Sequence, residues 1–222
     1  MSTAALLQMP LFADPAVDGA WRVRRSARAR RLSVRVFRDG AVEIVAPPRV
    51  SPPQIGEFVA RHRPWIERQL QRTPPVDCSV APAILELRAS GERWVCESGV
   101  QREQLFERLT VRALDVLSPQ VQQLAELMDL RYRRLQIRRQ RTRWGSCSSR
   151  GTISLNCCLL FQRPEVVRYL LVHELTHLRH MNHGERFWSQ VERFEPDWRA
   201  LDRELTRGWT QVPGWLMTRS SQ

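Results

Sequence analysis

The stretch that decides the fold is His-Glu-Leu-Thr-His at residues 173–177, followed six residues later by His183. Residues four apart stand on one face of an α-helix, so His173 and His177 can direct an imidazole nitrogen at the same metal ion. Glu174 lies to the side of these two histidines, where it can face a water molecule instead of the metal. This pattern is typical of zinc hydrolases, in which the ion lowers the pKa of bound water to about 7 and a carboxylate takes the proton.

The residues before the motif indicate that it lies inside a helix. Pro164 suits the first helical position, and Val166, Val167 and Leu170 begin an apolar stripe at helical spacing. We therefore predict a helix over residues 164–180 that buries this stripe and carries the motif. The alternative is a surface helix with two ordinary histidines.

Two histidines compete to be the third ligand. His180 lies three residues after His177 and shares its face if the helix continues, whereas His183 requires the helix to end and the chain to turn. Three ligands on one straight helix would give a tetrahedral ion a poor spread of angles. We therefore expect a Zn²⁺ ion on His173, His177 and His183, with Glu174 as the catalytic base and His180 as a solvated or supporting histidine.

Four further segments accompany the motif in a fixed order. They are Arg-Trp-Gly-Ser-Cys-Ser at 143–148, Ile-Ser-Leu-Asn at 153–156, Phe-Trp at 187–188 and Pro-Asp at 196–197. Together with the motif they resemble the YgjP-like zinc metallopeptidase family, which is related to the SprT-like proteases, over roughly residues 21 to 205.

The resemblance implies zinc at His173, His177 and His183, and Glu174 as the acid/base. It leaves the substrate open, since some YgjP-like members are described as nucleoside triphosphate pyrophosphatases and SprT-like relatives cleave protein bound to DNA. His180 stands where the metzincin pattern has glycine, so a metzincin fold is not expected.

Composition limits the class of protein. A chain of 222 residues can form one large or two small domains, and a hydrophobic fraction of 42% is ordinary for a globular protein. No apolar run reaches the length of a membrane helix, and the first 20 residues lack the features of a secretory signal, so we expect a cytoplasmic protein with no membrane partner. The five cysteines fit a reducing compartment, and we interpret them as structural thiols.

The net charge of +12 is unevenly distributed. Every basic residue is arginine, and residues 21–38 and 131–150 each hold eight arginines and no acidic residue. These sixteen charges exceed the net charge, so the rest of the chain is slightly acidic. The blocks indicate a surface that binds nucleic acid or a nucleotide, or, with equal weight, two solvated strand faces.

The pattern of elements predicts an α+β fold with a mixed or antiparallel sheet packed on a zincin-type helix pair, and an N-terminal lobe rich in β-hairpins. Asp39-Gly40 predicts a hairpin turn, Pro64 predicts that the helix over 52–71 splits in two, and Pro119 predicts a break or kink in the helix over 101–128. Strands are expected over 83–97 and 132–156, and helices over 164–180, 184–195 and 197–206. The expected organisation is a loose leader at 1–20, an N-terminal β/α lobe at 21–100, a zinc-binding catalytic lobe at 101–207 and a C-terminal tail at 208–222.

Three functions are compatible with these observations. The leading one is a zinc metallopeptidase acting on protein or peptide, with residues 152–156 as one candidate for a strand that pairs with the substrate. The second is a metal-dependent nucleoside triphosphate pyrophosphatase whose arginine blocks clamp the phosphates. The third is a nucleic-acid-binding module with a structural zinc, which Glu174 argues against because a structural site needs no base.

Overall fold

The computed structural model describes residues 21–37, 40–72 and 81–217, and these form an α+β fold. The chain divides into two compact units, one comprising residues 1–78 with 217–222 and the other residues 79–216. The predicted leader at 1–20, the Asp39 half of the turn, most of the linker at 72–82 and the end of the tail at 218–222 lie outside the described residues.

The first unit is a three-stranded sheet covered by one helix. Its elements are β1 (Trp21–Arg25), β2 (Ser33–Val36), β3 (Val42–Ala46) and α1 (Pro52–Arg72). The strand order is β1-β3-β2, with β1 parallel and β2 antiparallel to β3, so the predicted hairpin is present as β2–β3. Alternate residues of β3, including Val42 and Ile44, are fully buried against Ile55, Val59 and Ile66 of α1, as expected for a strand with one face on a helix.

The prediction that Pro64 splits the helix over 52–71 is wrong, because α1 runs through it. A proline inside a helix removes the hydrogen bond to the carbonyl four residues earlier, here that of Ala60. Both Pro64 and Ala60 are exposed, so water can satisfy that carbonyl. Apolar burial along the opposite face of α1, through Val59 and Ile66, then holds the helix together.

The second unit contains the remaining elements. They are β4 (Ile84–Leu87), β5 (Glu92–Val95), α2 (Arg102–Leu127), β6 (Arg134–Arg138), β7 (Gly145–Cys147), β8 (Thr152–Asn156), a 3-10 helix (Cys157–Phe161), α3 (Pro164–Thr176), α4 (Glu185–Phe194), α5 (Trp198–Arg207), a second 3-10 helix (Gly208–Gln211) and the short α6 (Gly214–Met217). Strand order β6-β8-β7, with β6 parallel and β7 antiparallel to β8, makes this a mixed sheet.

Helix α2 supplies much of the core of the second unit. One face carries a row of buried side chains at helical spacing, among them Leu105, Leu109, Leu117 and Val121. This helix packs against α3, β6 and the first 3-10 helix. The expected break at Pro119 is absent, since α2 continues to Leu127, and burial on both sides of the proline is the physical reason.

The hairpin β4–β5 lies in the second unit, although the sequence grouped it with the lobe at 21–100. Its turn donates the amide of Ala89 to the carbonyl of Leu160 at 3.0 Å. Its second strand pairs Glu92 with Arg112 of α2, and Trp94 lies under the guanidinium of Arg108. These contacts are between residues far apart in the chain, which local patterns do not record.

In the described ranges, no helix has the combination of length and apolar character that spans a membrane.

Candidate metal centre

Helix α3 carries the motif at its C-terminal end. It begins with Pro164 and ends at Thr176, four residues earlier than predicted, with His177 as its C-cap. The next amides bond to carbonyls three residues back, as in Leu178 to Leu175 at 2.9 Å and Arg179 to Thr176 at 3.1 Å. Such tight turns commonly finish helices, and here they end the straight path that would have kept His180 on the face of His177.

Three histidines converge at this helix end. Ligand nitrogens of His173, His177 and His183 all lie within 4.8 Å of one another. The Nε2 atoms of His173 and His183 are 3.1 Å apart, close to the separation of two nitrogens that bind one tetrahedral ion at about 2.0–2.1 Å each. His180 is not in this group, since its backbone carbonyl instead lies 3.1 Å from Nδ1 of His177.

The Nδ1 atoms of His173 and His177 face hydrogen-bond partners. Nδ1 of His177 lies near the His180 carbonyl, and Nδ1 of His173 lies 3.5 Å from the hydroxyl of Tyr169. In metal sites a ligating histidine donates its other N–H to such a partner, which fixes the ring orientation. A set of three imidazole nitrogens suits zinc and related transition metals, so the residues present fit the metal that the sequence predicts.

A buried aromatic side chain supports all three rings. Phe187 of α4 is fully buried, and its ring centroid lies 4.9 Å from that of His173, 4.7 Å from His177 and 4.6 Å from His183. Trp188 stacks on the exposed His183 at 5.6 Å and on Trp198 of α5 at 4.0 Å. Helix α4 therefore holds in place the histidine that arrives from the loop after α3.

Burial controls the charge state of the cluster. It lowers the pKa of His173 to about 3, with the neighbouring His177 and His183 adding to the effect. Burial also lowers the pKa of His177. Neutral imidazole is the form that binds a metal, so both rings are in the binding form at neutral pH.

Glu174, which follows His173 in α3, is buried and only 5% exposed. Its Oε2 atom is buried and has no hydrogen-bond partner in the described part of the chain. Burial raises the pKa of this carboxyl to about 8, and the charge of Arg143 opposes the shift. A buried, unpaired acid with a raised pKa is unfavourable for stability and is a feature of catalytic sites.

Strand β7 lies against Glu174 at a glycine. A Cβ atom added to Gly145 would fall 2.6 Å from Oε1 of Glu174, closer than real side chains approach. The carboxylate therefore occupies the space that any other residue at 145 would fill. Two residues further on, burial followed by the charge of Glu174 raises the pKa of the Cys147 thiol to about 11, which supports its interpretation as a structural thiol.

Asn156 fixes the loop that leads into β7. It is fully buried at the end of β8, and its Nδ2 donates to the carbonyls of Gln140 at 2.6 Å and Arg143 at 2.8 Å. Its Oδ1 accepts from the amide of Cys158 at 3.0 Å. The loop from 140 to 143 is thereby held where the exposed Arg143 acts on Glu174.

The supporting residues were largely missed from the sequence. Phe187 lies in the first turn of α4, four residues after His183, but His183 precedes that helix, so helical spacing does not relate the two residues. Gly145 and Asn156 belong to the quoted segments but carry no pattern that assigns a role. Their importance arises from contacts with α3 and with the loop at 140–143.

The fold and the cluster define a metallopeptidase-like hydrolase. The family model "YgjP-like, metallopeptidase domain" matches residues 30–98 and 96–208. The chain therefore belongs to the YgjP-like metallopeptidase family, which confirms the resemblance seen in the sequence, and membership implies a divalent metal.

Two solved structures are similar over part of the chain. The metallopeptidase zymogen abylysin of Pyrococcus abyssi is 26% identical, with a TM-score of 0.37, over 40% of this chain and 92% of that one. The metallopeptidase zymogen jannalysin of Methanocaldococcus jannaschii is 17% identical, with a TM-score of 0.38, over 41% of this chain and 95% of that one. No curated protein matches the chain.

Proposed function

We propose that this protein is a zinc-dependent metallopeptidase in which His173, His177 and His183 hold the ion and Glu174 is the general base. The observations that carry the proposal are the unpaired, buried Oε2 of Glu174, the residue that follows His173 in α3, and the three converging histidine nitrogens. A purely structural zinc site is closed by four protein ligands, whereas the group formed by the described residues has three. Three ligands leave a position open for chemistry.

The protein's own residues divide the work as follows. A bound zinc ion supplies Lewis acidity, which polarises a carbonyl and acidifies water. Glu174 accepts the proton at Oε2 and later returns it to the leaving amine. Its raised pKa suits proton transfer in both directions near neutral pH. The charge of Arg143 favours the ionised form, which acts as the base. Phe187 of α4 packs against the three histidine rings and excludes water from that side of the metal site.

The outer strand β7 provides a way to bind an extended peptide. Residues 152–156, the candidate from the sequence, form the central strand β8 and are paired on both sides, so they cannot accept another strand. Among the strands of the described residues, β7 pairs only with β8, in the order β6-β8-β7, and it carries Gly145 next to Glu174. A peptide added along the free edge of β7 would gain backbone hydrogen bonds while its scissile bond lies near the base.

The arginine distribution favours a peptide over a nucleoside triphosphate. Binding a triphosphate needs several cations that converge on the metal. Within the block at 131–150, Arg143 is the residue whose charge affects the pKa of Glu174. Arg139 is engaged by Glu103 at 3.5 Å and by the ring of Phe106, and Arg138 bonds to Gln136.

A parallel assay tests the proposal. Zinc-loaded protein is incubated with denatured casein and, separately, with a mixture of nucleoside triphosphates, and the products are followed by mass spectrometry and phosphate release. We expect new peptide termini and intact nucleotides, with both activities measured again in His183→Ala. Release of pyrophosphate by the wild type but not by His183→Ala, with casein intact, would replace the peptidase by the pyrophosphatase.

A further inference from the structure

We propose that Tyr169 and Asp202 act as a positioning pair that sets the tautomer and ring orientation of His173. The inference rests on the proposed function, because it concerns how a proposed metal ligand presents its nitrogen. Tyr169 lies one helical turn before His173 on α3, and Asp202 comes from α5. The hydroxyl of Tyr169 is 2.8 Å from Oδ1 of Asp202 and 3.5 Å from Nδ1 of His173.

The direction of each hydrogen bond follows from the number of protons. An ionised aspartate only accepts, so the single hydroxyl proton of Tyr169 is donated to Asp202. The phenolic oxygen then presents a lone pair to His173, and Nδ1 of that histidine must carry the hydrogen. The proton on Nδ1 leaves Nε2 with a free lone pair, and Nε2 is the atom that lies 3.1 Å from Nε2 of His183.

Burial separates this role from direct catalysis. Tyr169 is 1% exposed, so its hydroxyl cannot reach a substrate carbonyl or a developing oxyanion. The hydroxyl of Tyr169 donates its proton to Oδ1 of Asp202 at 2.8 Å. The tyrosine therefore acts through His173 and not on the substrate.

Helix α5 is anchored in a way that holds Asp202 in register with Tyr169. Trp144, beside Gly145, donates its indole N–H to the carbonyl of Leu205 at 3.0 Å. Arg163, the N-cap of α3, forms two bonds to the carboxylate of Glu204, at 2.8 and 2.6 Å. These contacts lie within one turn of Asp202 and fix α5 against both α3 and the strand that faces Glu174.

The test uses Tyr169→Phe, which removes one oxygen atom, with Tyr132→Phe as the matched control. Tyr132 lies in the loop after α2 and is partly exposed. Its hydroxyl donates to Oε1 of Gln122 at 3.2 Å. Zinc affinity is measured on the full-length protein by competition with a chromogenic chelator. We expect Tyr169→Phe to bind zinc about tenfold or more weakly, as is usual when the partner of a metal ligand is lost, and Tyr132→Phe to bind as the wild type does.

A double-mutant cycle tests whether Tyr169 and Asp202 act on His173 as one unit or whether each substitution damages the fold independently. If Tyr169 and Asp202 act as one unit, Asp202→Ala weakens zinc binding, and adding it to Tyr169→Phe gives little further loss. Additive losses would overturn the pairing. Unchanged zinc affinity in Tyr169→Phe would overturn the inference while leaving the metal site intact.

A second measurement needs no metal. Nitrogen-15 NMR of histidine-labelled apoprotein reports which ring nitrogen of His173 carries hydrogen. We expect Nδ1–H in the wild type and in Tyr132→Phe, and a mixture of tautomers in Tyr169→Phe. Nε2–H as the wild-type form would contradict the inference even if the protein bound no zinc, whereas failure of the wild type to bind zinc would count against the proposed function alone.

Discussion

His183 is the residue on which the proposed metal set depends most, because His173 and His177 lie in α3 and at its C-cap, whereas His183 comes from the loop that follows. Replacing it with alanine removes one of three ligands, so we expect metal affinity to fall far below that of the wild type. His180→Ala keeps the backbone carbonyl that faces Nδ1 of His177, so we expect it to bind nearly as tightly. Metal titration of the two variants measures the difference. Loss of metal in His180→Ala with binding retained in His183→Ala would require a different path for the chain after His177.

Gly145 gives a second prediction at this scale. Gly145→Ala would place a carbon 2.6 Å from Oε1 of Glu174, so we expect the carboxylate to be displaced and hydrolysis to fall sharply while zinc stays bound. Gly184→Ala is the matched control, because nothing lies within 4 Å of the position that its Cβ would take. Turnover and metal content of the two variants are compared. Equal turnover in both would show that Glu174 does not need its observed position.

Spacing along the chain predicted the residues proposed to do the chemistry but not the residues that position them. The histidines and Glu174 follow from helical geometry and ligand angles, which are local properties. Tyr169, Phe187 and Gly145 act through contacts between α3, α4, α5 and β7, and a single sequence carries no record of which elements meet. Tyr169 illustrates the difference: it lies four residues before His173, on the same face of α3, but nothing in the sequence indicates its contact with Asp202.

At the scale of elements, Asn156 links β8 to the loop that precedes β7. Asn156→Asp keeps the shape of the side chain but turns two donated hydrogen bonds into contacts between a carboxylate and the carbonyls of Gln140 and Arg143. We expect a loss of at least about 2 kcal/mol in the free energy of unfolding, measured by urea denaturation. Asn182→Asp, at an exposed position, should change it by less than about 0.5 kcal/mol. Similar values for the two variants would show that the loop does not depend on Asn156.

Most elements lie where the sequence predicts them, and the two wrong predictions of interrupted helices share one cause. The strands at 84–95 and 134–156 and helices α3, α4 and α5 agree with the predictions, apart from their ends. Pro64 and Pro119 were expected to interrupt helices, yet α1 and α2 run through them. Tertiary burial along each helix outweighs the lost hydrogen bond, and burial is known only once the partner elements are placed.

At the scale of the whole molecule, the division into domains at residue 100 stays a prediction, although the β4–β5 hairpin lies in the unit at 79–216. The two arginine blocks fall in different units. In the first block, Arg22 and Arg24 both lie 3.4 Å from Glu43, and Arg25 bonds to carbonyls between residues 47 and 50. Further along, three exposed arginines in the β1–β2 connection form no ion pair in the described part of the chain: Arg28, Arg30 and Arg31.

These three arginines test whether the first block binds a polyanion. We expect the protein to bind DNA at low salt, with affinity falling steeply as salt is added, since each neutralised phosphate releases counterions. Replacing Arg28, Arg30 and Arg31 with glutamine should reduce the slope of log affinity against log salt by about one for each lost phosphate contact. The same change at Arg186, Arg203 and Arg207, outside both blocks, is the control. Absence of DNA binding at low salt would assign the block to a solvated face.

Hydrolysis of denatured casein by Glu174→Gln, compared with the wild type at equal zinc content, is the most direct measurement of the proposed mechanism. The substitution is isosteric and leaves all three histidines in place, so we expect a full complement of about one zinc ion per chain. Without the proton acceptor, the rate should fall by at least about a hundredfold. Wild-type turnover by the zinc-loaded Glu174→Gln protein would contradict the assignment of Glu174 as the base.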